Sequence, residues 1–213
     1  MVLNPEPSDL PPVHVIKLGG SLLDLPDLAD RFARFVGAQP DARRAVVVGG
    51  GGAADLVRAH DRTFGLDESA GHWLAVRAMQ LNAHLVASVL ERCVVVARPS
   101  RCRDAWKDGH ISLVDPVAWL ERDERKEKPV PHRWSFTSDS ISAHVARRLG
   151  AARLTLLKSA RLEPGEGPVD LERAATLNIV DADFPAVADA IPSIDLVNLR
   201  DDPGVVVRLQ ASS

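Results

Sequence analysis

Four short segments of the 213-residue chain combine residue types suited to holding and moving an anionic group. The first is Lys17-Leu18-Gly19-Gly20-Ser21, a lysine at the end of the apolar run Val13–Leu18, followed by two glycines and a hydroxyl. The second is Gly49-Gly50-Gly51-Gly52, placed directly after Ala45-Val46-Val47-Val48. Glycine lets a backbone turn sharply and lets a ligand approach without a Cβ in the way. Successive N–H groups at such a turn, backed by a helix start, form an anion nest. Many strand-to-helix turns are glycine-rich for steric reasons alone, so it is the pair of junctions that carries weight. Neither matches the Walker loop or the dinucleotide fingerprint.

The other two segments supply charge. Lys17 and Lys158 each sit in an otherwise apolar run, and an unpaired buried ammonium is costly, so each requires an anionic partner or a route to water. Ser138-Asp139-Ser140 opens a helical stretch. Its residues suit an N-cap, or Asp139 can pair the lysines and orient them. Two strand-end lysines and one helix-start aspartate suit phosphoryl transfer, which needs positioning and positive charge more than a covalent catalyst.

The elements that must position these groups are legible in outline. Val13–Leu18, Ala45–Val48, Cys93–Ala97, Ile111–Val114, Arg153–Lys158, Ile194–Leu199 and Val205–Leu209 read as strands, the last two joined by a turn at 201–204. Helical spacing or capping signals mark Leu25–Val36, Ala53 to His60, Asp67–Arg92, Pro116–Leu120, a helix from Ser138 to Leu149 closed by Gly150, and Phe184–Ala190. Strands alternating with helices predict an α/β fold, a three-layer αβα sandwich on a largely parallel sheet. Residues 1–12 read as a flexible extension and 13–213 as one domain. The eight charged residues 121–128 read as a solvated loop, with a mobile lid as the alternative.

Composition narrows the function classes. The formal net charge is -3, with 46% hydrophobic and 26% charged residues, so nothing calls for a nucleic-acid partner. The proline-rich start is no signal peptide, and no apolar run approaches a membrane span, so a cytoplasmic protein is expected. Cys93 reads as a buried thiol. Cys102 reads as a loop thiol between Arg101 and Arg103, either activated by charge or a bystander. No His, Cys, Asp or Glu cluster has metal spacing. Trp73, Val76 and Met79 fall on helical spacing and read as core, and Trp106, Trp119 and Trp134 as packing residues.

Taken together, Val15–Ser21, Gly49–Gly52 and Thr137-Ser138-Asp139-Ser140-Ile141-Ser142-Ala143 resemble, in order and spacing, the three signature blocks of the amino acid kinase superfamily. The stretches Gly50–Arg58 and His72–Met79 look most like its archaeal-type furan phosphate kinase branch, of methanofuran synthesis, and bacterial relatives in pterin-linked one-carbon metabolism. The resemblance implies an ATP-dependent kinase acting on a small anionic, phosphorylated small-molecule substrate, with Mg2+ carried by the ATP phosphates and waters, and a homo-oligomer. It implies that Lys17 meets the transferring phosphate, with Gly19, Gly20, Ser21 and Ser138 as phosphate donors. Asp139 organises Lys17 and Lys158, with Lys158 a second phosphate-side lysine. Gly50, Gly51, Gly52, Asp55, Arg58 and His72 face the acceptor, though for His72 a core or solvent-facing role is the alternative. Where many relatives carry an aspartate–glycine pair after the Lys158 strand, this chain has Ser159-Ala160-Arg161-Leu162-Glu163-Pro164-Gly165, a departure at the nucleotide-base pocket. A non-catalytic nucleotide- or oxyanion-binding protein on the same fold is the alternative.

Overall fold

A computed structural model describes residues 10–126, 129–159, 168–201 and 206–211. The strands are β1 (Val13–Leu18), β2 (Arg43–Val48), β3 (Cys93–Val96), β4 (Ile111–Val114), β5 (Arg153–Lys158), β6 (Val169–Asp170), β7 (Ile194–Asn198) and β8 (Val206–Gln210). The helices are α1 (Leu28–Gly37), α2 (Gly51–Phe64), α3 (Glu68–Val89), α4 (Pro99–Lys107), α5 (Pro116–Glu124), α6 (Ser138–Leu149), α7 (Leu171–Thr176) and α8 (Phe184–Ala188). They form a three-layer α/β structure around one sheet of order β3-β4-β2-β1-β5-β7-β8-β6. Its pairings are parallel except for β7 with β8.

Alternation along the central strands divides the core in two. Val13 and Val15 of β1 join Leu154 and Leu156 of β5 and residues of α5, α6 and α8 on one face. Ile16, Leu18 and Leu157 join Leu28 and Phe32 of α1 on the other. By the same period, Lys17 and Lys158 point to the α6 face. No helix among the described residues is long and apolar enough to cross a membrane.

Several sequence expectations shift. The helix read from Leu25 begins at Leu28, because Pro26 disfavours helical geometry at the preceding residue. The helix read from Ala53 begins within the glycine run, at Gly51, and extends to Phe64. Helices α4 and α7 were not anticipated, although each carries a start signal, Pro99 at the first turn of α4 and the Asp170 side chain accepting from the Arg173 amide. Of the charge run at 121–128, residues 121–124 end helix α5 rather than forming a solvated loop or lid, and 127–128 lie outside the described residues. Asp123 is buried against His144 (2.7 Å) and Arg148 (3.1 Å). Within the expected extension, the carbonyls of Pro11 and Pro12 accept from Arg43, tying 11–12 to β2, while 1–9 lie outside the described residues. Cys102 is buried in α4, and burial raises its pKa to about 11, as it does for Cys93, so neither thiol is activated.

His14, buried in β1, hydrogen-bonds Thr155 Oγ1 through Nε2 at 2.8 Å. Burial, with Arg153 and Arg44 adding to it, lowers its pKa from 6.5 to about 4. A folded value below the unfolded one stabilises the fold fully above pH 6.5 and is lost as pH falls toward 4. That difference corresponds to about 3 kcal/mol. Denaturant unfolding of the wild type should therefore show stability falling from pH 7 to 4.5, with a shallower slope in His14→Gln. Equal slopes in the two proteins would remove His14 as the cause.

Candidate active site

The chain moves from β1 to β2 on one side and returns, through α5 and α6, to β5 on the other. Crevices at the carboxyl ends of strands flanking such a reversal are where open α/β sheets bind ligands. The carboxyl ends of β1, β2 and β5 carry Gly19–Ser21, Gly49–Gly52 and Lys158, and α6 starts above them.

Lys17 pairs across the sheet with Leu156, so Lys158 lies one strand over and two residues further along the same face. From strand spacing and rise, their Cα atoms are about 8 Å apart. Asp139, on the first turn of α6, fits between them. Lys17 Nζ lies 3.0 Å from Asp139 Oδ1, an ion contact off the hydrogen-bond line, and Lys158 Nζ donates to Oδ2 at 2.5 Å. Lys158 also donates to the Ile179 carbonyl at 2.6 Å. The side chains of Lys17, Asp139 and Lys158 are 7%, 6% and 16% exposed, so two cations share one carboxylate in a dry setting. Burial acts most strongly on Asp139 and raises its pKa, but Lys17 and Lys158 outweigh it and hold the carboxyl below its ordinary value. Burial pulls Lys158 down, Asp139 opposes this, and Lys17 adds to it, for a net lowering. One positive charge is left over, a standing attraction for an anion.

Thr137, not Ser138 or Asp139, is the N-cap of α6, which frees Asp139 for the lysines. Asp181 braces this helix start. It accepts from the Thr137 hydroxyl (2.6 Å), the Thr137 amide (3.1 Å) and the Ser140 amide (3.0 Å), and also from the Ser140 hydroxyl. No local signal in Val180-Asp181-Ala182-Asp183 announces that role, since its partners are about forty residues away.

The two glycine loops touch. A Cβ at Gly20 would lie 2.2 Å from the Gly51 nitrogen, and one at Gly51, where φ is +47°, would lie 2.4 Å from the Gly20 carbonyl. Glycine is therefore required by loop-to-loop contact as well as by any ligand. The buried Asn82 of α3 locks the second loop by donating from Nδ2 to the Gly49 and Gly50 carbonyls, both at 2.8 Å. Asn82 was missed in the sequence because an asparagine within a helix gives no signal of what it reaches. Asn82→Ala would strip the Gly49 carbonyl of its side-chain donor and leave the Gly50 carbonyl with the Ala54 amide alone, at 3.1 Å. A loss of about 1–3 kcal/mol in denaturant unfolding is expected, together with weaker anion binding; unchanged stability would show that the loop holds itself.

A cavity of about 290 Å³ joins Lys17, Gly20, Ser21, Gly50, Gly51, Asp55, Arg58, His72, Ser138 and Asp139. Three expected site residues fall outside its lining. The Gly19 amide donates to the Leu157 carbonyl at 2.9 Å and is not available to a ligand. Gly52 is exposed in the first turn of α2, where a Cβ would meet nothing within 4 Å. Lys158 is held by Asp139 Oδ2 and the Ile179 carbonyl. Ser21 is exposed and its hydroxyl meets that of Ser159 at 2.7 Å. Asp55 and Arg58 sit on the rim and pair with each other at 2.6 Å. The Arg58 guanidinium lies 5.6 Å over the ring of Trp134, which was expected only to pack and instead walls the cavity with Phe136. Val76 and Met79 are core residues, as expected, and also line it. The 160–165 stretch that departs at the base pocket lies outside the described residues.

A wider cavity, about 1040 Å³, opens at the opposite end of the sheet, by Arg43, Trp106 and Ile111. It gathers none of Lys17, Asp139, Lys158 or the residues of the two glycine loops. Among the described residues no group of His, Cys, Asp or Glu could hold a metal ion.

A parallel α/β sheet with an aspartate-bridged lysine pair and two apposed glycine loops at its carboxyl edge defines a phosphate-handling protein. The sequence profile of the amino acid kinase family matches residues 12–161, most of the chain, and the chain belongs to that family. It is 26% identical over 153 residues to the [5-(aminomethyl)furan-3-yl]methyl phosphate kinase of Methanocaldococcus jannaschii, covering 64% of this chain and 61% of that protein. The match thus spans less than two thirds of that relative. Among solved structures, the UMP kinase of Ureaplasma parvum superposes with a TM-score of 0.68 at 13% identity, over 94% of this chain and 99% of that one. The UMP kinase of Bacillus anthracis does so at 0.67 and 14%, over 96% and 98%. The uridylate kinase of Archaeoglobus fulgidus does so at 0.59 and 16%, over 93% and 91%. At these identities the likeness is one of fold.

Proposed function

We propose that the protein is an ATP-dependent kinase that transfers the γ-phosphoryl group to a small phosphorylated acceptor, in methanofuran- or pterin-linked one-carbon cofactor synthesis. The observation that carries this reading is the buried Lys17–Asp139–Lys158 cluster beside the two glycine loops. A binding protein needs charge but not a rigidly aimed ammonium. Here Asp139 fixes one from each side, in the low-dielectric setting where a preorganised cation most stabilises charge developing in a transition state.

In this scheme Lys17 faces the transferring phosphoryl group, and the Gly20 and Ser21 loop, with Ser138, holds the nucleotide phosphates. The first-turn amides of α2, which lack intrahelical partners, and Arg58 hold the acceptor. The acceptor oxygen forms its bond to the γ-phosphorus as the bond to the ADP oxygen breaks. Magnesium would travel with the nucleotide phosphates and waters, since among the described residues no group of three or more His, Cys, Asp or Glu could hold it. The named relative supports a furan-type phosphate acceptor, and the notional alternatives are UMP, isopentenyl phosphate and acetylglutamate. The free buried cysteines suit a reducing cytoplasm. The exposed Leu74, Leu81, Leu85 and Val89 on α3 suit a homo-oligomer.

The test is phosphorylation of that four-acceptor panel with ATP and Mg2+, read as ADP release and phosphorylated product. Efficient transfer to a phosphorylated acceptor is expected. ATP binding with no transfer to any of the four would favour a nucleotide-binding protein without turnover.

A further inference from the structure

The wider cavity, about 1040 Å³, lies at the amino ends of β1 to β4, and nothing in the kinase scheme uses it. Its volume is at the upper limit of the range, about 300–1000 Å³, in which pockets take small-molecule ligands. Phe32 and Leu90, both buried, and the part-buried Val36 and Ile111 give it an apolar floor. Five of its lining residues are arginine or lysine, against three carboxylates, Asp30, Asp41 and Glu91. The whole chain has a formal net charge of -3, so this is a local reversal of sign that favours an anion.

Arg44 carries the charge deepest. Its guanidinium donates to the backbone carbonyls of Pro40 (2.9 Å), Ala42 (3.3 Å) and Val36 (3.5 Å), and its Nε is enclosed with no partner. Carbonyls satisfy donors but do not neutralise a cation, so Arg44 is desolvated without a counter-charge, a costly state that a bound anion relieves. Beside it, the Arg43 guanidinium lies 5.4 Å over the Trp106 ring, which sets an aromatic face next to the cations.

Arg92 adds an independent sign. It sits in the turn between α3 and β3 at φ +58°, in the left-handed region where glycine is the unstrained choice. Its guanidinium lies against Gly109, where a Cβ would come 2.6 Å from Arg92 Nη2. Among the described residues, that guanidinium has no hydrogen bond or ion pair to offset the strain. Backbone strain of this kind clusters at binding and catalytic sites. Ala45 pairs with Ser112 and Cys93 with Ile111, so Arg44 and Arg92 lie two strands apart, about 10 Å between Cα atoms. Two arginine side chains can close on one anion across that gap.

We propose that this cavity is a second ligand site, for an amphiphilic dianion with a fused-ring or comparably large apolar body. The body lies against Phe32 and Leu90, and the anionic end between Arg44 and Arg92. A neutral ligand would leave the excess charge unanswered, and a small inorganic anion would leave the apolar floor wet. The site is separate from the phosphate cradle. From Arg43 to Gly49 is six residues of extended chain, about 20 Å. The proposal is therefore independent of the kinase reading.

The test is calorimetric titration of the full chain with naphthyl phosphate, naphthylmethanol and inorganic phosphate. Naphthyl phosphate should bind about tenfold or more tightly than either of the others, since it alone supplies both the body and the charge. Arg92→Gly should weaken it about fivefold or more, yet melt at the same temperature or higher, because glycine relieves the left-handed strain. Lys17→Met should bind it as the wild type does, and MgADP should not compete with it. No binding, equal binding of the neutral alcohol or of phosphate, or full binding by Arg92→Gly overturns the proposal. Loss of binding in Lys17→Met, or competition by MgADP, would place the probe in the phosphate cradle and overturn it as well. A lower melting temperature for Arg92→Gly would assign Arg92 to the fold and overturn its part in the site. None of these readings uses phosphoryl transfer, so a failed acceptor panel leaves them standing.

Discussion

Lys17→Met should lower turnover with ATP and a competent acceptor by roughly a thousandfold, with little change in fold or in KM for ATP. The size follows from what one preorganised donor contributes to charge developing in a transition state, about 10²–10³ in rate, with the full charge of an ammonium placing Lys17 at the upper end. Methionine keeps the length and packing of the aliphatic stem in β1. The fold survives because Asp139 keeps Lys158 at 2.5 Å, so no carboxylate is stranded. Removing the surplus cation makes the buried cluster neutral, which leaves stability unchanged or slightly raised. Steady-state kinetics and a thermal melt on the same preparation check both halves. A turnover loss below tenfold in a folded variant would exclude Lys17 from the transferring group.

Asp139→Asn should have the opposite balance, a large loss of stability together with a large loss of turnover. The carboxamide is nearly isosteric, but it leaves two buried ammonium groups, 7% and 16% exposed, without a counter-charge. Removing one partner of a buried ionic cluster costs about 3–5 kcal/mol. Turnover falls because Lys17 loses the group that aims it. Two further measurements separate this from generic damage. Combining Asp139→Asn with Lys158→Met, which removes one stranded cation, should recover much of the stability and none of the activity. The pH dependence should also differ. The Asp139 pKa is depressed below 3.8 in the folded protein, so its contribution is complete above that value and is lost as pH falls through the depressed one. The stability gap between wild type and variant should therefore be constant near neutrality and close in strong acid. A gap that is absent at pH 7 would show that the lysines do not depend on Asp139.

Much of this site is legible along the chain because its parts are local. An apolar strand that ends in lysine or in glycines declares itself within seven residues, as at Val15–Ser21, and Thr137–Ser142 shows a helix start within six. The resemblance to the amino acid kinase blocks draws on those segments, and the family match confirms the membership they imply. Helices α4 and α7 escaped because α4 is dominated by charged residues that read as a loop, and α7 is only six residues long. The expected solvated loop at 121–128 gave way, over 121–124, to the end of α5 for a related reason. Charge density in sequence says nothing of burial, and Asp123 is buried because His144 and Arg148 arrive from another helix to pair with it.

The sequence by itself determined which residues carry charge at strand ends, where the backbone can turn through glycine, and which family the chain belongs to. Only the tertiary structure decided how the labour is divided among them. Gly19 was grouped with its neighbours until the β1–β5 pairing took its amide. Lys158 shares the Asp139 carboxylate with Lys17 and also meets the Ile179 carbonyl, partners that no local pattern in the chain announces. Asn82 and Asp181 gain their meaning from partners across tens of residues. A chain records the chemistry of each group locally, whereas burial, pairing and hydrogen-bond satisfaction arise only when distant segments are packed together.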